Sequence, residues 1–368
     1  MPGQERDKTT DNDWLVEPLL DWFGRSNRPL PWRQSYDPYH VWISEILLQQ
    51  TQMERGVAYF LRWIDRFADV RAVAEAAEQE ILKYWEGLGY YTRARNLHRA
   101  AKEIVRRFAG VVPGDYPSLR SLPGIGPYTA AAIASVAGNQ DIPVVDANVL
   151  RVYSRIFDIA QPIDLRATRE QIETLAWRFL PAGRARAFNQ ALMDLGGLVC
   201  TPRWPRCDEC PLTGRCLARQ AGTVASRPVR RPPRQPVLIE KVAGVIVDNG
   251  RIYVQQRPAD ALWGGLWEFP GGELAGEESP LAALQQKVFA DCGLLVRVRQ
   301  PLPPIRHGYT HHRVTLHGFF CELSGGGRQP HLSTACAFNW VTPADLHRYA
   351  FPAGPRKLLA AIGNYQAL

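Results

Sequence analysis

The sequence lacks any apolar run that approaches the ~20 residues a membrane-spanning helix needs, which excludes that class of protein. No secretory leader is expected. Met1 to Asp13 is polar, without a basic start or an apolar stretch, so the chain is expected in the cytoplasm with no membrane partner. No segment recurs at a fixed period, which excludes solenoids and propellers. Seven cysteines is an odd number, and four of them crowd into residues 200–216, so a disulfide framework is not the organising device. The other three, Cys292, Cys321 and Cys336, stand in apolar or strand-like surroundings and are expected to behave as small core residues. Neither sign of charge dominates. Against 36 acidic side chains stand 44 basic ones, a net +8 that favours an anionic partner without requiring one. What is present is a 368-residue chain, 46% hydrophobic and 22% charged, with room for two or three globular domains.

Two halves and a seam are legible. From Trp14 to Ala221 apolar residues recur at helical spacing, as in Ile43, Ile46 and Leu47 or Ile81, Tyr84 and Trp85, which predicts an all-α domain over 14–221. Residues 222–236 include TVASRPVRRPPRQP, with four Arg, four Pro and no acid. Such a stretch cannot pack a core and predicts an extended, exposed connector, a spacer that also has the charge to follow a phosphate backbone. Residues 237–368 predict an α+β domain: strands over Val237 to Val247 and Arg251 to Gln256 around an Asp248-Asn249-Gly250 turn, then a helix over Leu281 to Phe289. The second half carries 12 basic and 10 acidic side chains, so most of the positive excess lies in the helical half and the connector.

Four constellations in the first half carry chemistry. In LPGIGPYTAAAIASV, Gly124 and Gly126 permit a tight turn whose amides point outward, and Pro127 and Tyr128 open an apolar helix. Those amides and the helix N-terminus form an anion site indifferent to base sequence. Downstream, Asp146 follows two valines and precedes Ala147. It is read either as a partly desolvated carboxylate or as the N-cap of a following helix, two roles that are compatible. In VWISEILLQQTQ, Val41 to Gln52, a helix sets Glu45 among Val41, Trp42 and Leu48. Burial there holds a carboxyl protonated near neutral pH; the bland alternative is an ion pair with Arg33. Finally Cys200, Cys207, Cys210 and Cys216 are spaced to surround one metal centre, iron-sulfur or zinc.

The order of hairpin, apolar helix, Asp146 and cysteine loop resembles that of the helix-hairpin-helix base-excision glycosylases, and the string around Glu45 resembles MutY-type adenine DNA glycosylases. The resemblance implies that the four cysteines hold a [4Fe-4S] cluster, and the loop so shaped is expected to carry Arg203, Arg206 and Arg215 toward phosphates. It implies that Glu45 protonates adenine at N7, that Asp146 stabilises the positive sugar as the base departs, and that Asn148 positions Asp146. Arg33 is assigned to the adenine pocket. Relatives that also nick DNA carry a lysine at the position of Tyr128, so a phenol there implies hydrolysis without efficient lyase activity. In GLGYYTRARN, Leu88 and Tyr90 are implied to enter the base stack with Gln50 as the target base is extruded, while Tyr91 reads as half-buried packing.

The run Gly264 to Glu273, GGLWEFPGGE, resembles the start of a Nudix domain. Where Nudix hydrolases carry the metal-binding R-E-x-x-E-E set, this chain has Gln286, Lys287, Ala290 and Asp291, so a binding module is implied in place of a pyrophosphohydrolase. The implied readers of 8-oxoguanine are Tyr309, Thr310 and His311, with His307 and His312 left as surface or packing histidines. The whole then implies a monomeric base-excision enzyme that hydrolyses adenine from its mispair with 8-oxoguanine or guanine in duplex DNA. Three rivals differ in what they demand: a pyrimidine-directed glycosylase and lyase, a nucleotide pyrophosphohydrolase, and a lesion-binding protein without catalysis.

Overall fold

The computed structural model describes residues 12–232, 235–276, 278–325 and 327–363. They group into two compact units: Met1–Glu75 with Arg99–Pro232, and Ala76–His98 with Pro233–Leu368. Residues 76–98, which comprise the helix Glu78–Trp85, a glycine-rich loop and the start of the helix Thr92–Phe108, thus group with the C-terminal half. Among the described residues no helix is long and apolar enough to cross a membrane.

The first unit is helical. Its main core joins the helices Asp13–Ser26, Ala147–Ile156, Arg166–Phe179 and Ala185–Leu198 through Leu15, Leu19, Val149, Tyr153, Ile172, Phe188, Leu192 and Leu195. The helix Pro38–Leu48 starts where Asp37 accepts hydrogen bonds from the amides of Tyr39 and His40 (2.9 and 3.0 Å), with Pro38 preset at its first position. Apolar almost all round, it is buried between Met53–Arg66 and Pro127–Val136. The small side chains of PYTAAAIASV permit that close approach.

The connector is exposed at Arg230, Arg231 and Pro232, as its composition predicts, but its first part docks on the helical unit. Val224–Ser226 forms a short 3-10 turn, and the carbonyls of Val224 and Arg227 accept from Nε of buried Arg155, both at 3.1 Å. Arg227 pairs with Asp158 at 2.8 Å, and Ile163 donates its amide to Val229. A proline- and arginine-rich strand of chain offers carbonyls and guanidiniums, and a domain with unmet polar groups takes both. Pro233 and Arg234 of the same stretch lie outside the described residues.

In the second unit an eight-stranded sheet comprises β1 (Val237–Asp248), β2 (Arg251–Gln256), β3 (Trp267–Glu268), β4 (Gly271–Glu273), β5 (Val296–Pro301), β6 (Ile305–Tyr309), β7 (His312–Leu323) and β8 (Ala337–Val341). The main order is β3-β2-β1-β7-β5. Strand β4 joins β1, β6 joins β7, β8 joins β2, and among the described residues only β1 and β7 run parallel. Asn249 and Gly250 turn the β1-β2 hairpin with φ of 45° and 70°, the positive pair that an Asn-Gly turn needs. Along β1, Ala243 and Val245 enter a core with Phe269, Phe351 and Leu358, whereas Val242 and Ile246 enter a core with Leu284, Val288 and Cys292. The helices Ala353–Gly363 and Pro280–Cys292 thereby cover opposite faces. Of the three cysteines outside the loop, Cys292 and Cys321 are buried, but Cys336 is exposed beside the end of β2.

Candidate active site

Glu45 lies in the middle of its apolar helix and is 9% exposed. Tyr128, at the start of Pro127–Val136, donates its hydroxyl to Glu45 Oε2 at 3.0 Å. Desolvation dominates the carboxyl and raises it to about 7. The Tyr128 hydrogen bond and Arg33 pull it down, while the nearby Asp146 charge pushes it further up. Burial and the neighbouring carboxyls push the Tyr128 phenol well above its ordinary value, so it remains a donor.

Arg33 is not the ion-pair partner of Glu45 that the bland reading requires. Its guanidinium grips Asp194 instead, Nη1 to Oδ2 at 2.7 Å and Nη2 to Oδ1 at 3.1 Å, and Arg28 Nε reaches the same carboxylate at 2.9 Å. Asp194 is fully buried, so two guanidiniums repay a desolvation that one would leave costly. Arg33 Nε is buried without a partner among the described residues.

Asp146 fulfils both sequence readings. As N-cap of Ala147–Ile156 it accepts the Val149 amide at 2.7 Å through Oδ1, and it accepts Asn148 Nδ2 at 2.7 Å through Oδ2. Burial raises its carboxyl above the usual range despite these donors and Arg151. Asn148 is itself fixed: its Oδ1 accepts Arg151 Nη2 at 2.8 Å, and Arg151 also donates to the carbonyls of Gly196 (2.7 Å) and Cys200 (2.7 Å). A buried guanidinium thus ties the Asp146 cap to the start of the cysteine loop.

The four cysteine side chains line one cavity together with Arg155, Arg206 and Arg219. Arg155 Nη1 donates to Cys200 Sγ at 3.3 Å, and desolvation pushes the Cys210 thiol up to about 11. Among the described residues no three Cys, His, Asp or Glu side chains cluster tightly enough for one ion. Of the arginines expected toward phosphates, Arg206 is engaged with Glu209 (2.8 Å) and the Leu198 carbonyl, and Arg215 lies over the Trp14 ring.

The hairpin is present, with one correction. Gly124 adopts φ 75° and requires glycine, but Gly126 is extended (φ −78°, ψ 176°) as N-cap of Pro127–Val136, with open space where a Cβ would stand. The helix bearing Glu45 ends at Leu48, and Gln50 beyond it has φ 58°.

In the second unit Leu88, Tyr90, Tyr309 and Thr310 line one cleft of about 790 Å³, together with Arg95 and Trp263. Tyr90 is exposed at φ 48°, in a loop with Gly87 at 98° and Gly89 at 72°. Tyr309 and His312 pair across the end of β6 and β7, with Thr310 at φ 48° turning the hairpin and His311 exposed beside it. Tyr309 is held edge-on by Trp263 and stacked by His312, each at 4.8 Å between centroids. His312 is therefore a packing histidine of this aromatic cluster, one of the two roles expected for it. Tyr91 is fully packed, not half-buried. Asp291, the surviving acid of the Nudix-like helix, is consumed internally: Gln255 and the Gly271 amide donate to Oδ2 at 2.8 and 3.0 Å, and Thr334 donates to Oδ1.

Sequence reasoning missed Asp194, Arg28, Arg151 and Trp263. No local pattern marks them, because each acts on a residue distant in sequence or through ring geometry.

A model described as HhH-GPD superfamily base excision DNA repair protein matches residues 43–182, and a NUDIX domain model matches residues 242–361. The chain is 31% identical over 398 residues to an adenine DNA glycosylase of Rattus norvegicus, covering 92% of this chain and 76% of that protein. It is 30% identical over 410 residues to that of Homo sapiens, covering 95% and 74%. To that of Mycolicibacterium smegmatis it is 38% identical over 249 residues, covering 67% and 84%. A thermostable thymine-DNA glycosylase structure superposes with a TM-score of 0.51 at 29% identity, over 56% of this chain and 95% of that one. The chain belongs to the adenine DNA glycosylase family, hydrolases that act on N-glycosyl bonds in base excision repair.

Proposed function

We propose that this glycosylase excises adenine paired with 8-oxoguanine or guanine in duplex DNA, by hydrolysis and without efficient lyase activity. The observation that carries the chemistry is Glu45: a buried carboxyl, near 7, hydrogen-bonded by a phenol and close to a second carboxylate. Adenine is a poor leaving group until protonated. Glu45 delivers a proton to N7 of the extruded base, the C1′–N9 bond breaks with its electron pair going to the base, and the Asp146 carboxylate stabilises the cationic sugar. Water then adds to C1′ and loses a proton. Arg33 Nε, buried without a partner, supplies a donor for the bound base. Tyr128 offers no amine for a Schiff base, which supports simple hydrolysis.

The resident group fits its residues as a [4Fe-4S] cluster. Four thiols line one cavity and the donor set is all sulfur. When bound it would hold the 200–216 loop in shape. The residues that transmit that shape are Arg151 and Arg155, through their bonds to the Cys200 carbonyl.

Duplex DNA is bound by the hairpin amides at Gly124 and Gly126, by Gln50, and by Leu88 and Tyr90, with the enzyme acting as a monomer at the nucleoid. Tyr309, Thr310 and His311 read the base opposite adenine. The test is excision by the purified protein on duplexes that differ only in the base opposite adenine, each analysed with and without alkali. Faster excision opposite 8-oxoguanine, with strand breaks only after alkali, is expected. Equal rates opposite all four bases, or strand breaks without alkali, would overturn the reading.

A further inference from the structure

The loop carrying Leu88 and Tyr90 is built from improbable backbone: Gly87 at φ 98°, Gly89 at 72° and Tyr90 at 48°. A tyrosine in that region persists only where its surroundings over-determine it. The residues that flank the loop show what does so. Glu86 is 8% exposed, a buried charge that needs partners. Its Oε1 accepts the Phe351 amide at 2.9 Å, and Oε2 takes Lys83 Nζ at 2.8 Å with Arg356 Nε at 3.8 Å. On the other side of the loop, Tyr91 donates its buried hydroxyl to the Phe351 carbonyl at 3.1 Å and accepts the Gly87 amide at 3.4 Å.

Both polar backbone atoms of one residue are therefore held by the two side chains that bracket the loop. Phe351 itself is fully buried in the core that includes Phe269 and Leu316, so it is a fixed point. Lys83 also donates to the Tyr349 carbonyl (3.0 Å), and Gln79 exchanges bonds with Trp267 Nε1 (3.1 Å) and the Gly265 carbonyl (2.9 Å). The opposite wall of the cleft, Tyr309 with Trp263 and His312, belongs to the same unit.

We propose that Glu86 and Tyr91 form a clasp on Phe351 that sets the separation of the two cleft walls, making them positioning residues for opposite-base specificity. The inference rests on the reading of this cleft as the lesion-recognition site. Neither residue touches the reacting atoms. Loosening the clasp frees the Leu88–Tyr90 loop from its strained conformation, so the preference for a damaged partner base should fall while chemistry on a bound adenine continues.

The test compares wild type, Glu86→Gln, Glu86→Ala and Tyr91→Phe by single-turnover excision on duplexes with adenine opposite 8-oxoguanine or guanine, with melting temperature as a control. Glu86→Gln keeps an acceptor for the Phe351 amide and should retain most of the preference. Glu86→Ala and Tyr91→Phe should lose it by roughly tenfold, as expected for a hydrogen bond to a charged or buried group. Should Glu86→Ala fail to fold, Tyr91→Phe, which removes one oxygen, decides. Folded variants with an undiminished 8-oxoguanine to guanine ratio would overturn the clasp. A wild type without any such ratio would instead overturn the functional reading beneath it.

Discussion

The Tyr128 hydroxyl donates to Glu45 Oε2 at 3.0 Å, so the phenol acts directly on the carboxyl proposed as the proton donor. A donor to a carboxylate favours its ionised form and opposes the desolvation that holds the proton on Glu45. Tyr128→Phe should shift the alkaline limb of the excision rate to higher pH while leaving the neutral rate within about tenfold. A pH–rate profile checks this, and a shift to lower pH would contradict the hydrogen bond's direction.

Glu45 also has a stability signature. Its folded value, about 7, lies above the ordinary 4.5, so between those values the folded protein binds more protons than the unfolded chain. Stability must then fall as pH rises through that window, by up to about 3 kcal/mol above pH 7. Glu45→Gln removes the titration. Its melting temperature relative to wild type should rise from pH 5 to pH 8, and a constant difference across that range would mean that the carboxyl is solvated.

Asp146 serves as helix cap and as charge, and two substitutions separate the roles. Asp146→Asn keeps an acceptor for the Val149 amide, so stability should change by less than about 1 kcal/mol while excision falls by roughly 10²- to 10³-fold. Asp146→Ala should lose both the rate and about 1 kcal/mol of stability. Chemical denaturation with single-turnover rates measures each.

Arg151 satisfies Asn148, Gly196 and Cys200 from a buried position. Arg151→Met leaves the Asn148 and Gly196 acceptors without this donor, while the Cys200 carbonyl keeps Arg155, and should cost about 2 kcal/mol. It should also slow excision more than it weakens duplex binding, because the Asn148 contact to Asp146 is lost. Iron content and melting temperature of the purified variant, beside its DNA affinity, provide the readouts.

Much of this was legible in residues. The Asn249-Gly250 hairpin, the apolar setting of Glu45, the Asp146 cap and the cysteine ring are local patterns, fixed by side chains within a few positions of one another. The pairing of Arg33 with Asp194 spans 161 positions, and only the fold makes it. The spacing of Ile81, Tyr84 and Trp85 shows a helix but not what it packs on, and the Glu86 clasp depends on Phe351, 265 residues away. Composition predicts the exposed part of the connector but not its docked start, because it describes what a segment can bury and not what its carbonyls can accept from Arg155. Gly126 misled because glycine also occurs where no positive φ demands it.

The most direct measurement is the pH dependence of single-turnover adenine excision opposite 8-oxoguanine, for wild type and Glu45→Gln at saturating protein. A wild-type rate that falls above about pH 7 with the loss of one proton, and a variant that binds the duplex but barely turns over, is the expected result. A wild-type rate unchanged to pH 9, or a Glu45→Gln enzyme with substantial turnover, would contradict the assignment of Glu45 as the proton donor.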